Sequence, residues 1–318
     1  MYTAPASAGR ASVRFVQDNR LISSHQWRMS NKNAASLDRA AGFIWSNARL
    51  LERAQFVHLF VEPSPQRVVA ALSAYVNADG GVGNALEADL RAPTSIPLAC
   101  EAALIVLRQS AIVEPTIAAA MCDYLESMVE TDGRVPIVTR EILEFPRAPH
   151  WNSPAFGGDS PNPTAGLVGL LEYQSIQHPW MSRAADWCWR RLERPLDEAH
   201  EAASVMRFLE HAPDRRRARE VALRIAREAE QTKFFQLHPD SAHYGVTPLH
   251  LCPGPDSIAA QAFGQSTLGE HLDELAARQQ PDGGWPISWD ATGPGAEMEW
   301  RGRVTLDALI TLRAYGRI

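Results

Sequence analysis

From Leu37 to Ile318, apolar side chains recur at spacings of three and four, the period of amphipathic helices. The pattern predicts helices over roughly 37–56, 65–77, 97–109, 114–130, 164–177, 180–193, 197–211, 214–232, 257–264, 266–280 and 303–315. No run alternates apolar and polar residues long enough to read as a strand. Some helix starts are marked. Pro65 follows Ser64, a side chain suited to capping, and proline is tolerated in the first turn; Asn162-Pro163-Thr164 reads the same way. Residues 1–36 lack this period and are rich in Ser, Ala, Asn and Arg. They are expected to form a poorly ordered extension, with 37–318 as the folded domain.

One short pattern recurs. Asp282-Gly283-Gly284-Trp285-Pro286-Ile287 returns as Asp132-Gly133-Arg134-Val135-Pro136-Ile137 and as Asp79-Gly80-Gly81-Val82. The intervals are 53 residues (79 to 132) and 150 residues (132 to 282), so a unit of about 50 residues repeats. Each triplet follows a predicted helix, where glycine can take the left-handed conformation that ends it. About eleven helices over 37–318 give six antiparallel hairpins of that length. Six hairpins can close on themselves, burying the apolar faces of the first and last pair, which predicts an all-α (α/α)6 toroid; an open solenoid is the alternative. The long segments 79–96, 131–163 and 281–302 occupy related repeat positions and should converge on one mouth, joined by 236–256. Long loops on a rigid scaffold are where sites are built.

The chain has 318 residues, 45% hydrophobic and 21% charged, with net charge −6 and a pI near 5.9. No basic excess is available to neutralise a phosphate backbone, so no nucleic-acid partner is expected. The run Arg215-Arg216-Arg217-Ala218-Arg219 reads as the solvated face of a helix. Cys100, Cys122, Cys188 and Cys252 are scattered among apolar neighbours, which fits buried thiols and a cytoplasmic location. No apolar run is long enough to span a bilayer.

Gln279-x3-Gly283-x-Trp285 resembles the QW motif of squalene-hopene cyclases, Q-x3-G-x-W. With NALEADLRAP at 84–93, NPTAGLVGLL at 162–171 and EMEWRGRVTLDAL at 297–309, residues 37–318 resemble the terpenoid cyclase and protein prenyltransferase alpha-alpha toroid superfamily, including its bacterial single-domain prenyltransferase-like members. The resemblance implies a toroid with a central cavity and an isoprenoid substrate. Class II cyclases of that superfamily protonate substrate from a D-x-D-D motif; the nearest text here is Glu87-Ala88-Asp89. Prenyltransferase beta subunits hold zinc through Asp, Cys and His; His250-Leu251-Cys252 lacks a spaced third ligand, so neither metal nor cofactor is expected.

Three segments offer chemistry. Loop 79–96 carries Glu87, Asp89 and Arg91: a carboxylate pair that burial could keep protonated as a general acid, or an Asp89–Arg91 ion pair that only locks the loop. Segment 281–302 carries Trp285, Trp289, Glu299, Trp300 and Arg301. Trp289 and Trp300 could stabilise a cation across their rings, or staple hairpins as expected for Trp285. Loop 131–163 carries His150, whose intrinsic pKa is near neutral, and Trp151, while 236–256 adds His243. The expected catalytic set is Asp89, Glu87, Glu299 and His150; the expected substrate-binding set is Arg91, Trp151, Trp289, Trp300, Arg301 and His243. The first reading is a terpenoid cyclase or prenyl-transfer enzyme with a lipophilic small-molecule substrate and acid-initiated carbocation chemistry. The alternatives are a carbohydrate-active toroid using paired carboxylates roughly 5–9.5 Å apart, or a non-catalytic binding toroid. An aromatic and aliphatic cavity favours isoprenoid, a carboxylate-rich wet one sugar, a filled one the binding protein.

Overall fold

The computed structural model describes residues 14–15, 31–152, 158–239 and 243–318, with side chains from Ser36 onward. The protein is all-α. Its helices are α1 (Asn31–Asn47), α2 (Leu50–Phe56), α3 (Pro65–Ser73), α4 (Pro97–Gln109), α5 (Pro115–Glu126), α6 (Thr164–Tyr173), α7 (Pro179–Arg191), α8 (Ala199–His211), α9 (Arg215–Glu228), α10 (Pro248–Leu251), α11 (Ala260–Ala277) and α12 (Pro294–Ala314). Among the described residues the only sheet is one antiparallel pair, β1 (Arg14–Phe15) with β2 (Ile112–Val113), which helical periodicity could not signal. The rest of the expectation for the N-terminal extension lies outside the described residues, except that α1 already starts at Asn31 rather than 37. No described helix is long and apolar enough to cross a membrane.

Proline sets many of the starts. α3, α4, α5, α7, α10 and α12 all begin on one, where its fixed φ suits the first turn and its missing N–H costs nothing. Pro163, in contrast, sits just before α6, after a cis peptide bond. The helix expected over 37–56 breaks at Ala48–Arg49. Arg49 is extended there, and its guanidinium grips Glu52 (2.6 and 3.0 Å) and the carbonyls of Ala85 and Leu86 (3.3 and 2.9 Å). The two helices expected at 257–264 and 266–280 form α11, kinked at Gly264.

Packing links the first and last helices. α1 rests on α2 and α12, α2 on α3 and α12, α4 on α5 and α6, α6 on α7 and α8, α8 on α9 and α10, and α11 on α9, α10 and α12. One continuous core runs through them, with Leu51, Leu104, Leu107, Trp180, Phe208 and Leu309 fully or almost fully buried. The four thiols are free and buried within it. α6 and α8 approach most closely, because Gly166 and Gly169 present no side chain. The carboxyl of Glu101 occupies the space beside Gly166, and the backbone of Arg207 and Phe208 the space beside Gly169.

The repeated Asp-Gly triplets form one turn three times. Gln280 N–H donates to Gly284 O (2.8 Å) and Gly283 N–H to Gln280 O (2.9 Å); Glu130, Gly133 and Arg134 repeat this, as do Asn77, Gly80 and Gly81. The Asp Oδ1 accepts the N–H two residues on, from Gly284 (3.0 Å), Arg134 (3.3 Å) and Gly81 (2.9 Å). The central glycine has positive φ each time and lies against the backbone of another helix: Arg39 in α1, Arg183 in α7, Ala120 in α5. Gln279 extends the last turn into a strap: its amide donates to Ser36 O (2.9 Å) and Gly283 O (2.9 Å) and accepts from Ser36 Oγ (2.6 Å) and Arg39 (2.7 Å). Trp285 Nε1 bonds Leu275 O at 2.7 Å, so Gln279 and Trp285 tie α11 to its neighbours.

Candidate functional site

The segments after these turns meet at Asp89. Ala148 N–H donates to Asp89 O (2.9 Å) and Arg91 N–H to Pro146 O (3.0 Å), pairing 79–96 with 131–163. Trp300 Nε1 donates to Asp89 Oδ1 (2.8 Å), and His150 Nε2 lies 3.6 Å from Asp89 Oδ2. The segment 243–247 joins through rings: Tyr244 stands edge-on to Trp289 at 5.6 Å, and Trp289 edge-on to Trp300 at 5.2 Å. Segment 281–302 is not a loop throughout. Pro294 opens α12, so Glu297 to Arg301 are helical. Likewise 140–144 and 149–151 form 3-10 turns within 131–163.

Polar contacts continue round a closed circuit. On α12, Arg303 bonds Asp307 (2.8 Å), and Gln109 of α4 bonds both, donating to Asp307 (2.9 Å) and accepting from Arg303 (3.2 Å). Glu101 of α4, buried, accepts from Arg207 (3.0 Å) and Ser204 (3.2 Å) of α8. His200 at the start of α8 donates through Nδ1 to Glu198 (2.6 Å), and its Nε2 meets the Tyr244 hydroxyl at 2.5 Å. Tyr244, Trp289 and Trp300 lead back to α12. Electrostatic contacts join these groups further, Glu87 with Asp89 and Arg303, His250 with Asp307, His200 and Arg207, and Tyr244 with Glu198, Glu87 and Asp89; the region they share is called the recess below. Glu87 is half-buried and His250 exposed.

The electrostatics of the recess favour a stored proton. Burial, helped by the Asp89 charge, pushes the Glu87 carboxyl up to about 8, against the pull of Arg49 and Arg303. Burial also raises Asp89, opposed by the Trp300 hydrogen bond, His150 and the Trp289 indole. The buried Nε1 atoms of Trp289 and Trp151 have no hydrogen-bond partner of good geometry. His250 is pushed down to about 4, chiefly by burial. Its Nδ1 accepts the Thr247 backbone N–H (3.0 Å), which leaves the neutral ring with its proton on Nε2.

Of the residues expected to act, Glu87, Asp89, His150, Arg91, Trp289, Glu299 and Trp300 come together here. The expected alternative of an Asp89–Arg91 pair is not formed. Arg91 instead holds Glu299 bidentately (2.6 and 3.3 Å), so Glu299 serves a guanidinium rather than standing as a second free carboxylate. Trp151 packs on His150 at a ring separation of 5.5 Å. Arg301 is not at the site. It faces the other side of α12, bonds Asp282 (2.9 Å) and Trp285 O (3.3 Å), and lies over Phe43. His243 is exposed, and its neighbour Tyr244 reaches the recess instead. Sequence reasoning passed over Glu198, His200, Arg207, Arg303 and Asp307. Their signal is a polar stripe at helical spacing on otherwise buried helices: His200, Ser204, Arg207 and His211 on α8, and Glu299, Arg303 and Asp307 on α12. No protein-family model matches the chain, and no curated protein matches it.

Proposed function

We propose that the hairpins close into an (α/α)6 toroid around this recess, and that the protein is an enzyme acting on a polar, hydroxyl-bearing small molecule of the carbohydrate class. The observation that carries the reading is the ionic and hydrogen-bonding lining: Arg91–Glu299, Gln109–Arg303–Asp307, Glu101–Arg207 and Glu198–His200–Tyr244. An isoprenoid chain would strip water from these paired groups, at a desolvation cost that a hydroxylated substrate avoids. Glu87 is the general acid, holding its proton at neutral pH because burial disfavours its charge and the neighbouring Asp89 carboxyl adds to that. Trp289 and Trp300 offer ring surface.

The isoprenoid reading keeps one specific support, the ring cluster of Tyr244, Trp289 and Trp300 beside the buried acid Asp89. A thermal-shift panel separates the two. A ligand at a hundred times its Kd stabilises the native state by about 2.7 kcal/mol. An oligosaccharide should raise the melting temperature, and Trp289→Ala should abolish the shift. A response confined to prenyl diphosphates or squalene-type lipids in detergent would replace this reading with the isoprenoid one. Silence from both classes would overturn it.

A further inference from the structure

We infer that Tyr244 is a second proton-transfer group of the recess, a general base whose oxygen is primed by His200 and Glu198. The inference rests on reading the recess as a reaction site. One assignment of the protons satisfies both contacts of His200. Glu198, ionised, can only accept, so the 2.6 Å contact places a proton on His200 Nδ1. The neutral ring then has a lone pair on Nε2, and the Tyr244 hydroxyl, 2.5 Å away, donates to it. The two lone pairs of the phenol oxygen remain free for a substrate proton. The ring is held in place by His200, at 5.6 Å between centroids and nearly parallel, and by the edge of Trp289. Tyr244 is nevertheless 41% exposed, open to a ligand from solvent.

The step balances. A substrate hydroxyl gives its proton to the Tyr244 oxygen as the tyrosine proton passes to His200 Nε2. The imidazolium so formed stays bonded to the Glu198 carboxylate, and the substrate oxygen keeps the electron pair for its new bond. On the other side of the transfer, Glu87 gives its proton to the departing oxygen. Burial and the charges of Glu198, Glu87 and Asp89 push Tyr244 up to about 12, so a standing phenolate is disfavoured and the two proton movements must be concerted.

The test needs no substrate. N-acetylimidazole acetylates tyrosine oxygens: a C–O bond forms, the acyl C–N bond breaks, and imidazole leaves with the phenol proton. A base on that proton speeds the transfer. In the full-length protein at neutral pH, peptide mass spectrometry should show Tyr244 modified about tenfold or more faster than in His200→Gln. Glu198→Gln, which keeps an acceptor for Nδ1–H but removes the charge, should fall between, and Tyr244→Phe should lose the adduct. An unchanged Tyr244 rate in His200→Gln, with an unchanged melting temperature, would overturn the inference. Should His200→Gln fail to fold, an unchanged rate in Glu198→Gln would do the same. Neither result touches Glu87, whose titration is read separately.

Discussion

Gly169→Ala is expected to destabilise the protein by about 3 kcal/mol, the upper end of ordinary overpacking costs. A Cβ there would lie 2.5 Å from the Phe208 Cα and within the Arg207 carbonyl oxygen, and backbone cannot turn aside as a long side chain can. α6 and α8 would have to separate. That movement would drag Glu101 from Ser204 and Arg207, because Glu101 fills the neighbouring space at Gly166. Gly42→Ala is the control. Gly42 lies in α1, exposed, with nothing within 4 Å of its would-be Cβ. Alanine there should stabilise by up to about 1 kcal/mol through helix propensity alone. Urea unfolding with an unchanged slope reads both. Equal effects from the two substitutions would contradict the close approach of α6 and α8.

Glu87→Gln is expected to stabilise the protein in alkali and not in acid. The Glu87 carboxyl titrates near 4.5 in the unfolded chain and near 8 in the folded one. Below 4.5 both states hold the proton, and the substitution is neutral in this respect. Between 4.5 and 8 the unfolded state loses its proton and the folded state keeps it, so wild type loses stability as pH rises; above 8 the loss is complete. The full displacement corresponds to roughly 4–5 kcal/mol; residual solvent access reduces this to about 2–3 kcal/mol. Denaturant midpoints of wild type and variant should therefore diverge steadily from pH 5 to pH 8. If Glu87 is the general acid, as proposed, the same substitution should lower turnover of any oligosaccharide that the panel identifies by about 10²–10⁴. Parallel stability curves across that range would contradict a proton stored on Glu87.

The helices were legible because their faces alternate at 3 and 4 spacing and because prolines and Asp-Gly turns punctuate them. That segments 79–96, 131–163 and 281–302 touch was legible too, from the equivalent turns that precede them, whereas Asp89 as their meeting point was not. Local patterns failed where tertiary contacts decide. Gly293-Pro294-Gly295 reads as loop, yet Pro294 opens α12, and along a helix Arg301 turns about 100° from Trp300. Arg91 looked like a partner for Asp89 because they are two apart, but the chain aims it at Glu299, 208 residues away. Tyr244 and His200 are 44 residues apart, with no spacing rule to join them.

The most direct test of the account is the titration of Glu87 itself. Carbon-13 NMR of the protein labelled at glutamate carboxyls, with the Glu87→Gln spectrum for assignment, follows that one resonance with pH. A midpoint near 8 is the predicted result, a carboxyl protonated at neutral pH and ready to donate. A midpoint near 4.5 would contradict it, leaving an ionised recess without its acid.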